Sequence, residues 1–230
     1  PSNLVLLVSG KTGRDQIKTI NKCLGSIEIN VKKDEPYIDF SISETEVSEM
    51  TIPIENTVQS SFILGNVSLQ RCMPGYSELH ITSVILGGYF GSRLMTNIRE
   101  DKGYTYGIYS SLTSLPEYGI FNISAQSGKE VYKKAIQEIK KEIDILRNER
   151  ISDDELNRVK SWMSGSLSKT FDGPFALADA FKSLLSFGLS FDYYENYFET
   201  LKSIQADDIL NSAQKYLRNE DMHLIVAGAI

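Results

Sequence analysis

The sequence predicts an α/β chain whose mainly antiparallel sheet is covered by helices on one face. Three observations lead there. Tyr104 to Leu112 and Ile120 to Gln126 both alternate in polarity, and the turn residues Pro116 to Gly119 lie between them, which is a β-hairpin signal. Val131, Ala135, Ile139, Ile143 and Leu146 recur at helical spacing, with lysines and acids opposite them. The apolar run Leu4 to Val8 resembles the run Met222 to Ala227, and each ends in a small residue followed by glycine. If one structural unit closes on the second run, another closes on the first.

The remaining elements follow in order. Leu4 to Val8 is expected as a buried strand, stopped by Ser9-Gly10. Ile17, Ile20 and Leu24 mark a helix that Gly25 ends. Residues 31–49 carry Lys32-Lys33-Asp34-Glu35-Pro36 and three later glutamates, and are expected as an exposed connector with an edge strand near Tyr37 to Ile42. Strands are expected at about 50–55 and 57–65, the first at an edge because it holds Pro53. Helices follow at about 76–87 and 91–100. Ser152-Asp153-Asp154-Glu155 matches a capping box, in which the Ser hydroxyl and the Glu carboxylate satisfy free backbone N–H groups. Further helices are expected at about 153–169, 175–187, 191–202 and 207–217, before the closing strand.

Composition narrows the function. The chain has 230 residues, 41% hydrophobic and 23% charged, which is ordinary globular usage. No apolar run approaches the roughly 20 residues of a membrane helix, and a soluble protein of the cytoplasm or periplasm is expected. A net charge of −6 argues against general nucleic-acid binding, which needs a basic face for phosphates. Cys23 and Cys72 form no Cys-x-x-Cys motif and are expected as small buried thiols. His80 and His223 are far apart in sequence, and no HxxEH, HxxxH or CxxC occurs. A catalytic zinc site normally takes three protein ligands with a close pair among them, so none is expected here. Both histidines read as structural.

Other motifs fail on context. Ser9-Gly10-Lys11-Thr12 lacks the upstream glycine of a phosphate loop, since Val5 stands there. Gly87-Gly88-Tyr89-Phe90-Gly91 follows a helix, not the strand a dinucleotide site requires, and is read as a bend between helices. Asp153-Asp154 and Asp207-Asp208 sit at expected helix N-termini, where negative charge is favoured. The tyrosine-rich stretch Phe191 to Phe198 reads as core.

The informative segment is Leu86 to Ser111. A helix ends in Arg99-Glu100-Asp101-Lys102, Gly103 breaks it, and a tyrosine-bearing strand starts. Side chains alternate along a strand, so Tyr104 and Tyr106 are expected on one face. Arg99 and Tyr106 can then converge. A guanidinium beside a phenol offers several donors and no basic nitrogen, which suits carbonyl oxygens or a developing oxyanion. Arg99 paired with Glu100 or Asp101 on the surface is an equally open reading.

Gly87-Gly88, Ser92-Arg93-Leu94 and the run Arg99-Glu100-Asp101-Lys102-Gly103-Tyr104-Thr105-Tyr106 resemble the C-terminal, non-catalytic half-domain of the pitrilysin/insulinase zinc peptidases, which include the mitochondrial processing peptidase. The order of hairpin, amphipathic helix, capping box, helices and final strand extends the resemblance over about 50–230. It implies three regions: 1–30 as the closing strand and helix of a preceding half-domain, 31–49 as connector, and 50–230 as a processing-peptidase-like half-domain. It also implies roles. Arg99 and Tyr106 would bind the peptide backbone near the scissile bond and complete the active-site chamber. The chain would hold no metal or catalytic residue and be inactive alone. Zinc would belong to a partner half with an HxxEH motif, in the same polypeptide or a separate subunit, and the substrate would be a peptide. The competing reading is a catalytically silent scaffold domain of the same fold.

Overall fold

The computed structural model describes residues 4–28 and 48–230. Most of the expected connector, and the edge strand near 37–42, lie outside the described residues. The chain divides into two compact units. One comprises residues 1–43 and 165–192, the other residues 44–164 and 193–230.

Among the described residues the larger unit holds a five-stranded sheet in the order β1-β5-β2-β4-β3. Its strands are β1 (Glu49–Pro53), β2 (Gln59–Ser68), β3 (Thr105–Ser114), β4 (Gly119–Gly128) and β5 (His223–Gly228). All pairings are antiparallel except β1 with β5. The expected hairpin is β3–β4, closed by the Leu115 N–H donating to the Tyr118 carbonyl at 2.8 Å. Among the described residues β1 is an edge strand, as its proline suggests.

Alternation decides which face is covered. Phe62 and Leu64 of β2, Ile108 of β3, and Phe121 and Ile123 of β4 are essentially inaccessible to solvent. Against them pack α2 (Tyr76–Ser83), α3 (Tyr132–Asn148) and α7 (Ala206–Tyr216), which bring Leu79, Ile81, Ile139, Ile143, Ile209 and Ala213 to the same core. Burying each of these leucine, isoleucine and phenylalanine side chains contributes about 1.5–3 kcal/mol. The opposite face of the sheet exposes Ile63, Val67, Tyr109 and Ile225.

The two helices expected at 76–87 and 91–100 both change type. α2 passes into a π-helical turn, Val84–Gly88, and a second π-helix spans Met95–Asp101. Lys102 donates its N–H to the Asn97 carbonyl, five residues back. Apolar periodicity cannot separate 3.6 from about 4.4 residues per turn over so short a span. The Gly87-Gly88 bend is present, since Tyr89 is extended, and Gly87 also lets the backbone approach β3: a Cβ there would meet the Ser110 nitrogen at 2.7 Å.

The capping box is half made. Ser152 accepts the Glu155 N–H at 3.1 Å at the start of α4 (Asp153–Thr170), but both Glu155 carboxylate oxygens are bound by Arg93 at 2.8 and 2.9 Å. A buried guanidinium demands an ionic partner more strongly than an N-cap does. Asp208 does accept a cap bond, from the Gln205 N–H at 2.8 Å. Arg150 pairs with Asp153 and with Asp207, at the N-termini of α4 and α7.

In the smaller unit lie α1 (Arg14–Leu24) and α5 (Pro174–Leu185). α6 (Asp192–Ser203) begins at its last residue and continues into the larger unit. Leu4 to Val8, expected as a buried strand, forms none, and Leu4, Val5, Leu6 and Val8 are half exposed or more. An apolar run becomes a strand only against a sheet edge, and among the described residues no strand pairs with it. The cysteines also depart from expectation, both being exposed: Cys23 lies on α1, which buries none of its residues, and Cys72 in the loop before α2. The tyrosine-rich stretch is core only at Tyr197; Phe191 is exposed.

Candidate functional site

Arg99 stands on the π-helix Met95–Asp101, and α3 holds that helix in place. Asn97 donates through Nδ2 to Glu142 Oε1 at 2.6 Å and to Glu138 Oε2 at 3.3 Å. Lys102 donates to Asn97 Oδ1 and pairs with Glu138 at 3.3 Å. Lys102 and Asn97 together hold the Glu138 carboxyl below its usual range, against the opposing effect of burial. Gly103, at φ +64°, then turns the chain through a left-handed conformation that a side chain would disfavour.

The Arg99 guanidinium lies over the Phe90 ring, 4.7 Å from its centroid. Among the described residues it makes no ion pair with Glu100 or Asp101, so the simple surface pairing does not occur. Tyr106 is 90% exposed. No hydrogen bond joins it to Arg99 in this structure, so the phenol and the guanidinium both keep their donors available. Phe90, the platform for Arg99, was not legible as such; an aromatic flanked by glycines gives no sign of which cation it meets.

The strand starts at Thr105, so Tyr104 stands before it, its N–H bonded to the Ile98 carbonyl at 2.9 Å. A bulge separates Thr105 from Ile108, with one more residue on β3 than on β4. Thr105 locks it: its buried hydroxyl lies 2.6 Å from the Gln126 carbonyl, 2.8 Å from the Gly107 carbonyl and 3.1 Å from the Gly107 N–H. The extra residue changes the parity beyond it, so that Tyr109 joins Tyr106 on the open face. Between them is a groove of about 470 Å³, whose lining includes Ser61, Ile63, Ser124 and Gln126.

The histidines lie elsewhere. His80 Nδ1 is 2.6 Å from the Tyr197 hydroxyl, and its ring stacks on Tyr76. Burial, reinforced by the nearby Arg71 charge, lowers its pKa to about 4. It is a neutral acceptor for the Tyr197 hydroxyl, whose own pKa burial raises. His223 stands on β5 opposite Gly65. Among the described residues no three His, Cys, Asp or Glu side chains come together in a way that could hold a metal ion. The described residues therefore do not fit the zinc of a metallopeptidase. No helix among them is long and apolar enough to cross a membrane.

The chain presents an α/β fold whose sheet is covered on one face, with Tyr106 on its bulged strand β3 and Arg99 on the π-helix that precedes it. The family model of the peptidase M16 inactive domain matches residues 1–163. The chain belongs to that family, and the expected kinship with the pitrilysin/insulinase peptidases is thereby shown. It is 29% identical over 167 residues to a protein named uncharacterized zinc protease YmxG from Bacillus subtilis, covering 73% of this chain and 40% of the relative. An uncharacterized zinc protease from Rickettsia felis is 25% identical over 221 residues, 93% of this chain and 50% of that one. The crystal structure of a peptidase M16 inactive domain from Pseudomonas fluorescens superposes with a TM-score of 0.78 at 22% identity, covering 96% of this chain and 52% of that chain. The chain thus spans about half the length, or less, of the curated relatives it matches.

Proposed function

We propose that this chain is the non-catalytic half of a zinc metallopeptidase and that Arg99 and Tyr106 bind the backbone of its peptide substrate. The observation that carries this reading is the pair itself. The two residues stand seven apart in the family's pattern, and neither donor set is used up: Arg99 only covers Phe90, and Tyr106 is 90% exposed. Zinc and its activated water would be supplied by an HxxEH-bearing half, in the same polypeptide or a separate subunit. In that assembly the guanidinium and the phenol hydrogen-bond carbonyl oxygens beside the scissile bond and stabilise charge that develops there. Leu4 to Val8, apolar and without a strand partner, would join the sheet of that half, and residues 1–30 would be its closing strand and helix.

The test is peptide cleavage by the chain paired with its zinc-bearing half. Arg99→Ala or Tyr106→Phe should each lower turnover by at least about tenfold, the typical effect of losing an oxyanion-type donor. Unchanged kinetics would remove both residues from the site and leave the chain as a scaffold.

A further inference from the structure

The open face of the sheet carries no formal charge at the positions that register assigns to it. Met50 pairs with Ile225, Ile225 with Ile63, Ile63 with Ser124, and Ser124 with Tyr109. This single row crosses all five strands, roughly 19 Å at the usual strand spacing. Met50, Ile225, Ile63 and Tyr109 are each about half exposed. The neighbouring row runs through Ile52, Ala227, Ser61 and Gln126 to the bulge at Tyr106 and Gly107. Neither row contains Asp, Glu, Lys or Arg, although 23% of the chain is charged. The groove between Tyr106 and Tyr109 lies on this surface beside the bulge. The Tyr109 ring lies back over Gly107, where an added Cβ would come within 3.1 Å of it.

We propose that this groove is a side-chain subsite for an uncharged, bulky residue, aromatic or aliphatic, of an extended peptide. The inference rests on the substrate-binding reading of Tyr106 and deepens it. A peptide whose backbone meets the Tyr106 hydroxyl sets an adjacent side chain over Ser124 and Gln126. There an arginine or glutamate would give up hydration with no counter-charge in return, whereas a phenylalanine or leucine covers Ile63 and packs between two tyrosine rings. The volume, about 470 Å³, lies within the range of small-ligand sites.

The experiment uses the 230-residue chain and three blocked hexapeptides that differ only in one central residue, Phe, Arg or Glu. Binding is followed by the amide NMR shifts of Gly107, Ser124 and Gln126. The Phe peptide should bind at least tenfold more tightly than the other two. Gln126→Glu places a carboxylate on the exposed rim without changing side-chain shape, and should shift the preference at least tenfold toward the Arg peptide; Ser124→Asp should do the same. Arg99→Ala should weaken all three peptides alike and leave their ratio unchanged. Equal affinities, or a ratio that neither acidic variant moves, would overturn the subsite while the Arg99 effect upheld the backbone reading. A preserved ratio with no Arg99 effect would overturn the backbone reading alone, and absence of binding would overturn both. Shifts of the same amides with protein concentration, without peptide, would make a second copy of the chain the occupant and overturn the proposal.

Discussion

Arg93 and Glu155 form a two-pronged ion pair, Nε to Oε1 at 2.8 Å and Nη2 to Oε2 at 2.9 Å, with both side chains mostly shielded from water. The pair fastens the segment before the Arg99-bearing π-helix to the first turn of α4. Removing one partner strands a charge in a low-dielectric setting. Arg93→Ala should therefore destabilise the larger unit by about 3–5 kcal/mol in urea denaturation. Arg93→Met with Glu155→Leu should recover most of that loss, because packed apolar side chains replace such pairs well.

His80 gives the fold a pH dependence whose sign is fixed. Its folded pKa, about 4, lies below the ordinary 6.5 because burial and the Arg71 charge oppose protonation. The unfolded chain therefore takes up a proton at a higher pH than the folded one. Stability from this group is complete above pH 6.5 and is lost as pH falls from 6.5 to 4. Between pH 7.5 and 5.0 the loss should be about 2 kcal/mol, read from urea midpoints. His80→Gln should flatten that part of the curve.

The Asn97 clamp predicts a local effect. Asn97→Ala removes its bonds to Glu142 and Glu138 and leaves Lys102 with a poorer set of partners. It should cost about 1–3 kcal/mol. Exchange of the Lys102 amide, which closes the π turn, should accelerate more than exchange in β4.

Metal and thiol measurements are direct checks on side-chain placement. After incubation with zinc and desalting, the chain should retain far less than one zinc per molecule, because no three ligand side chains converge among the described residues. One tightly held zinc would require a ligand set beyond them. Native protein should react with a thiol reagent at both cysteines without denaturant, since both are exposed.

The legible and illegible parts of the sequence differ by the distance over which their causes act. The hairpin, the α3 stripe and the Asp208 cap depend on neighbours within one or two turns, so periodicity and turn residues specify them. Leu4 to Val8 failed as a strand because a ladder needs a partner that its own residues cannot supply. The same holds for Glu155: its spacing from Ser152 announced a cap, but Arg93, distant in sequence, claimed its carboxylate. At the candidate site, Arg99 and Tyr106 were marked by residue type and spacing. The Phe90 platform, the Asn97 clamp and the bulge that moves Tyr109 beside Tyr106 depend on tertiary packing and on one extra residue in a strand.

The placement of β5 between β1 and β2 has a kinetic meaning. β3 and β4 form a hairpin from adjacent sequence and β2 joins β4 from about 50 residues upstream, but among the described residues β1 pairs only with β5, and β5 is about 170 residues further along. Loop closure over such a separation is slow. During synthesis, β1 and one edge of β2 therefore wait unpaired until the last of the five strands emerges and inserts between them. That insertion joins the two ends of the sheet in a single late step, and until then both edges are open to mispairing with other chains.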